Sequence, residues 1–394
     1  MKYLLIPVLV VIAGMMTSCN REKTPEWKPA ENPTFTVWGE KMDPSAPWPE
    51  YPRPALARDE WMNLNGLWDY AICPKDSDRP EPQGKILVPF PVESALSGVR
   101  ERMSDSLALW YSREFVLPKQ WKDKRIIINF EASDWETTVW VNDRMASMHR
   151  GGYDPFWCDI TNYIDDRKKH TLVVKVTDPT DRGPQPRGKQ VTKPGGIWYT
   201  PTSGIWQTVW LEPVEKTWIG DLRVVPDIDN GVLHVTVIEE HCQGGPGGCP
   251  PVDMAPSLAE ITLLAEGKTV AVASGITGSV VTLPVPDARL WSPDDPYLYD
   301  LKVRLVTGGL VADQVTSYAG MRKISLGVGE DGFTRIFLNN EFMWQNGPLD
   351  QGFWPDGLYT PPSDEAMVYD LEMLKKMGFN MLRKHVKVEN RRFY

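Results

Sequence analysis

The stretch RIIINFEASDWETTVWVNDRMASMHRGGY, residues 125–153, shows the fold through its punctuation. Residues 125–130 are a largely β-branched apolar run, and residues 137–141, Thr-Thr-Val-Trp-Val, are β-branched and aromatic. Both patterns belong to strands, where branched side chains pack on a pleated surface. Asn142-Asp143 and Gly151-Gly152 interrupt them with residues that tolerate the left-handed turn conformation. Moving outward, similar runs occupy 67–72, 109–117, 171–177 and 205–211, separated by Asn65-Gly66 and Pro194-Gly195-Gly196. Short strands at such spacing predict an all-β sandwich. Residues 47–214 exceed an immunoglobulin domain in size, so the expectation is a jelly roll of eight or more strands.

Composition agrees. The 394 residues include 35 prolines, about 9% against a usual ~5%, which disfavours a mostly helical chain. The net charge of −9 argues against nucleic-acid binding, which needs a basic face. Of 17 tryptophans, eleven fall within 47–214 and only Trp218 and Trp291 within 215–328, a shift that supports a boundary near Pro213. Seven short candidate strands in residues 215–328 match the size of an immunoglobulin-like sandwich. Trp68, Trp140, Trp206 and Trp210 sit in predicted strands and read as core, whereas Trp135 and Trp157 are open.

Residues 329–394 change character. A hairpin turn is expected at Asn339-Asn340, followed by a Gly/Pro/aromatic loop. Ser363 is placed to cap a helix carrying Asp364 and Glu365 in its first turn, with Met367, Leu371, Leu374 and Met377 on one face and Gly378 just past its end. Residues 379–386 read as a buried strand and 389–394 as the start of another helix. Strand, helix and strand imply a parallel βαβ unit, the first part of an incomplete (β/α)8 barrel, which in full needs about 250 residues.

At the other end, Lys2 precedes an apolar run, residues 3–16, shorter than the ~20 residues that span a bilayer. It reads as a signal segment. Met16-Thr17-Ser18-Cys19 resembles a bacterial lipobox, which would make Cys19 a lipidated first residue, followed by a tether over 19–46; an ordinary signal peptide cut nearby is the alternative. The chain is therefore expected outside the cytoplasm, in the periplasm or on the outer membrane of a Gram-negative bacterium. Cys242 and Cys249 flank a Gly-rich loop where they can form a disulfide or remain free thiols; with His234 and His241 they match no common metal spacing. No phosphate loop, dinucleotide fingerprint or metal pattern is present, so no cofactor is expected.

Six motifs together resemble glycoside hydrolase family 2, the β-galactosidases, β-glucuronidases and β-mannosidases. They are LNGLW (64–68), HRGGYDPF (149–156), SGIWQTVWL (203–211), WSP with PYLY (291–299), GMRKI (320–324) and GFNMLR (378–383). The resemblance implies an exported retaining hydrolase of terminal β-linked sugars, with a glycan as partner. In such enzymes two carboxylates about 5–5.5 Å apart act as acid/base and nucleophile. In the family both are glutamates on later barrel strands, which implies positions downstream of Tyr394. The chain as written is then an inactive N-terminal part, and the competing expectation is a non-catalytic glycan-binding surface lipoprotein. Asp350 and Glu389 are read as solvated carboxylates rather than a substitute pair. Asp350, Gln351 and Trp354 in the loop, with Arg383 and His385 at the strand end, are the candidates for sugar contact; Arg383 reads equally well as a structural ion pair. Lys384 lies between those last two.

Overall fold

Alternation decides the first core. Ile126, Ile128 and Phe130 point one way from the strand Arg125–Phe130, and that strand joins Met62–Asn63, Val209–Val214 and Phe156–Asp159 in a four-stranded antiparallel sheet. A six-stranded antiparallel sheet shares the same core through Trp68, Ile86, Tyr111, Val139 and Val174. Its spatial order is Gly84–Val88, Gly66–Pro74, Leu107–Phe115, His170–Thr177, Glu136–Val141, Arg144–Arg150. The expected turn is present: Val141 pairs with Arg144 across Asn142 and Asp143, whose φ values are +51° and +62°. The computed structural model describes residues 27–32, 34–241 and 257–394. Cys19, Cys242 and Cys249 lie outside the described residues; Cys73 and Cys158 are free thiols.

Trp68, Trp206 and Trp210 are buried, as read. Trp140 is different. Its neighbours Val139 and Val141 face the core, so the two-residue strand period turns Trp140 outward, where it stacks on Trp110 at 5.4 Å.

The second core joins a three-stranded sheet (Thr217–Asp227, Val232–His241, Val280–Pro284) to a four-stranded one (Lys268–Ile276, Leu258–Ala265, Tyr299–Thr307, Leu310–Ala319). Every pairing is antiparallel, and Leu233, Val235, Ile261, Leu301 and Val303 fill the space between. A buried charge network ties the two units. Arg58 donates to Glu212 in the first at 3.0 Å, and to Asp313 and the Ile219 carbonyl in the second. Arg53, Tyr51 and the Trp210 indole also donate to Glu212. Burial alone raises a carboxyl pKa, but Arg53 and Arg58 hold that of Glu212 below its ordinary value.

Residues 324–342 form a three-stranded antiparallel sheet turning at Asn339 and Asn340, both at positive φ. The helix Asp364–Lys376 follows. Ser363 Oγ accepts from the Ala366 N–H at 3.2 Å, acidic residues fill its first turn, and Gly378 leaves it at φ +88°. The strand read over residues 379–386 is much shorter. Only Arg383–Lys384 pairs, parallel with Leu349–Asp350, and two residues further on Val386, at φ +54°, has left the extended conformation. Residues 391–393 form a turn, not a helix. Among the described residues no helix is long and apolar enough to cross a membrane.

Candidate functional site

The short parallel pairing builds a cavity. Leu349 pairs with Arg383 and Asp350 with Lys384, so Asp350 and Lys384 project to the same side. That side opens into a cavity of about 790 Å³, bounded by the 348–355 loop, the helix Asp364–Lys376 and Trp38. Asp350, Gln351 and Trp354 line it, together with Lys384 and Glu389. Arg383 and His385 do not, because the same alternation turns them away. The His385 N–H donates to the Asp350 carbonyl at 2.8 Å, and its Nδ1 is buried without a partner among the described residues.

The charges are tightly organised. Lys384 donates to Asp350 and, at 2.9 Å, to Glu389 Oε1. Glu389 Oε1 also accepts from Lys387 at 2.6 Å. Asp350 Oδ1 accepts the Gly352 N–H at 2.7 Å. Glu389 is only 5% exposed, so it is no solvated carboxylate. Lys387 spends its other two protons on the Gly352 and Tyr359 carbonyls, both at 2.7 Å, beneath the Tyr359 ring. Burial pushes the Lys387 pKa down to about 8, against the pull of Glu389. For Lys384, burial acts in the same downward direction but Glu389 and Asp350 outweigh it, and its pKa is raised. Asp370, on the cavity side of the helix, is raised by burial and by Asp350.

The helix contributes an apolar wall through Met367, Leu371, Leu374 and Met377. Trp354 is braced edge-on against Trp38, with ring centroids 6.5 Å apart, and Gln351 Oε1 is buried without a partner among the described residues. The cavity therefore combines aromatic and apolar surface with an unpaired amide oxygen and an ammonium. That is the composition of a small-molecule pocket. Lys387 is invisible in the sequence: in KHVKVEN it resembles a solvated lysine, and its carbonyl partners lie 28 and 35 residues away. Among the described residues no group of His, Cys, Asp and Glu is arranged to hold a metal ion.

A second polar cluster lies under the first sandwich. Ser203 bridges two buried carboxyls, its N–H donating to Glu93 at 2.9 Å and its hydroxyl to Asp178 at 2.7 Å. Gln190 donates to Asp134 at 3.1 Å. Burial pushes the Glu93 pKa up to about 8 and raises those of Asp134 and Asp178. Tyr153 joins this region to Tyr359, hydroxyl to hydroxyl, at 3.2 Å. Sequence reasoning singles out none of these carboxyls.

Comparison with known proteins places this architecture. The family model "Glycosyl hydrolases family 2, sugar binding domain" matches residues 85–211, and "Glycosyl hydrolases family 2" matches 255–322. A β-glucuronidase of Paenibacillus borealis is 26% identical over 363 residues, covering 84% of this chain and 56% of that protein. A β-galactosidase of Thermoanaerobacter pseudethanolicus is 26% identical over 289 residues, covering 70% of this chain and 36% of that one. The crystal structure of Ruminococcus gnavus β-glucuronidase shares the fold with a TM-score of 0.69 at 20% identity, covering 88% of this chain and 58% of that one. The chain spans about half the length of the curated β-glucuronidases it matches over most of its own length. It thus carries two domains of glycosyl hydrolases family 2, the sugar-binding domain and the domain that follows it.

Proposed function

We propose that this chain supplies the substrate-side scaffold of an exported retaining glycoside hydrolase acting on terminal β-linked sugars of the glucuronide or galactoside kind. One observation carries the reading: a chain with both family domains also has, at the end of its parallel strand pair, a cavity lined by Trp354, Gln351 and Lys384. In this reading residues 47–214 are the jelly roll, 215–328 the immunoglobulin-like sandwich and 329–394 the opening of a (β/α)8 barrel. Trp354 stacks on a sugar's C–H face, and Gln351 Oε1 accepts from a hydroxyl. Lys384 has one proton beyond those given to Asp350 and Glu389, suited to a ring hydroxyl or a uronate carboxylate.

Neither Asp350 nor Glu389 is assigned to bond cleavage. A retaining mechanism needs one carboxyl as proton donor and one as free nucleophile, and both of these are already counter-ions of Lys384. The test is a thermal-shift titration of the chain with methyl β-glucuronide, β-galactoside and β-mannoside. At least one should raise the melting temperature, and Trp354→Ala and Lys384→Met should reduce the shift. No shift with any of them sinks the reading. Turnover of a nitrophenyl β-glycoside that vanishes in Glu389→Gln would overturn the assignment of roles. We place the protein on a membrane through a lipid at Cys19; Cys19→Ala should move it from the membrane to the soluble fraction of an expressing cell, and an unchanged distribution refutes the anchor.

A further inference from the structure

A second cleft lies between the two sandwiches, on the face of the four-stranded sheet that turns away from its core. Because Ile128 and Phe130 point inward, Asn129 between them points outward. Its partner in the next strand is Trp157, outward for the same reason between Phe156 and Cys158, which pack on the core. The strand Thr217–Asp227 of the second unit closes the other side. Trp218 meets Trp157 edge-on with ring centroids 5.9 Å apart, and Asp221 stands just past the bulge that follows Ile219. Glu240 and Arg391 complete the walls of a cavity of about 260 Å³.

Its chemistry is specific. Trp157 is 38% exposed, which packing alone does not require. Asn129 is 5% exposed, and its Nδ2 is buried with no hydrogen-bond partner among the described residues. A buried unpaired amide is a standing cost that an apolar side chain would avoid. Carboxylates at Asp221 and Glu240 share the walls with the guanidinium of Arg391, so donors and acceptors of both signs surround an indole surface. With Glu212 and Arg53 also in the lining, three carboxylates face two guanidiniums, and this negative excess disfavours an anionic ligand while the polar walls disfavour an apolar one. Flat apolar faces ringed by vicinal hydroxyls, each both donor and acceptor, satisfy all these groups at once.

We infer that this cleft is a second sugar-binding site, taking one neutral pyranose at the end of a glycan, separate from the cavity at Lys384. The test titrates the full chain with methyl β-galactoside, methyl β-glucoside and methyl β-mannoside, and with short oligosaccharides ending in each, read by tryptophan fluorescence and calorimetry. Saturable binding is expected, with the oligosaccharide bound at least as well as the matching monosaccharide. It should weaken about tenfold or more in Trp157→Ala. Glu240→Gln, a near-isosteric change at the rim, should weaken it also, whereas Trp344→Ala, which removes an exposed indole elsewhere, should not. The inference is overturned if no sugar binds, or if correctly folded Trp157→Ala and Glu240→Gln bind like the wild type.

Discussion

Replacing Glu93 by Gln should change how stability depends on pH. The carboxyl is fully enclosed; one oxygen accepts the Ser203 N–H and the other has no partner among the described residues. Its folded pKa is about 8, against an ordinary value of 4.5, chiefly through burial. Below pH 4.5 both folded and unfolded chains hold the proton, and the site contributes its full stability. Between 4.5 and about 8 the folded chain keeps a proton that the unfolded chain has released, so unfolding is favoured as pH rises. The slope is at most ~1.4 kcal/mol per pH unit. Across that window the loss has an upper limit of roughly 5 kcal/mol, a large share of the ~5–15 kcal/mol that holds a folded protein together. Gln keeps the acceptor for Ser203 and cannot ionise. Urea unfolding at several pH values across the window should show the wild type weakening with pH. The Glu93→Gln variant should weaken less, by about one proton's worth of slope, and be the more stable protein at the alkaline end of the window. Asp134 and Asp178, also raised, leave a residual slope of the same sign. Parallel curves for the two proteins would refute the reasoning.

Other outcomes follow from the same contacts. Ser363→Ala removes the cap of the helix Asp364–Lys376 and should cost about 1 kcal/mol in urea unfolding. Arg58→Met strips the tie among Glu212, Asp313 and Ile219; a cost of about 3–5 kcal/mol is expected. Calorimetry should then resolve two melting transitions where the wild type has fewer. Lys387→Met leaves the Gly352 and Tyr359 carbonyls without a donor while Lys384 still faces Glu389, and should lower stability by about 2–5 kcal/mol on denaturant titration.

Local grammar is legible in the sequence. Asn142-Asp143, Asn339-Asn340, Ser363 and Gly378 act on their immediate neighbours, and each turns, caps or stops the chain where its chemistry demands. The second sandwich also has seven strands, the number read for residues 215–328. Parity goes astray where a side chain's destination depends on a distant partner. Trp140 reads as core until its sheet face is known. Arg383 and His385 are more attractive than Lys384 for sugar contact because a fork and an imidazole suggest chemistry, yet the pairing of Asp350 with Lys384 decides which residue meets the cavity. Lys387, Glu93 and Asp178 are illegible for a further reason: ionisable residues carry the pattern of solvent, and only contacts formed across the fold reveal their burial.

The two-residue pairing of Leu349–Asp350 with Arg383–Lys384 also makes the cavity sensitive to chain length. Inserting one neutral residue between Gly378 and Leu382 would slide the register by one and bring Arg383 to the place of Lys384 without changing net charge. A compact ammonium would give way to a flat guanidinium with paired parallel donors. Recognition would move from a single oxygen toward a planar two-oxygen group, so an insertion outside the cavity offers a route between neutral and acidic sugars by exchanging Lys384 for Arg383 without a substitution at either residue.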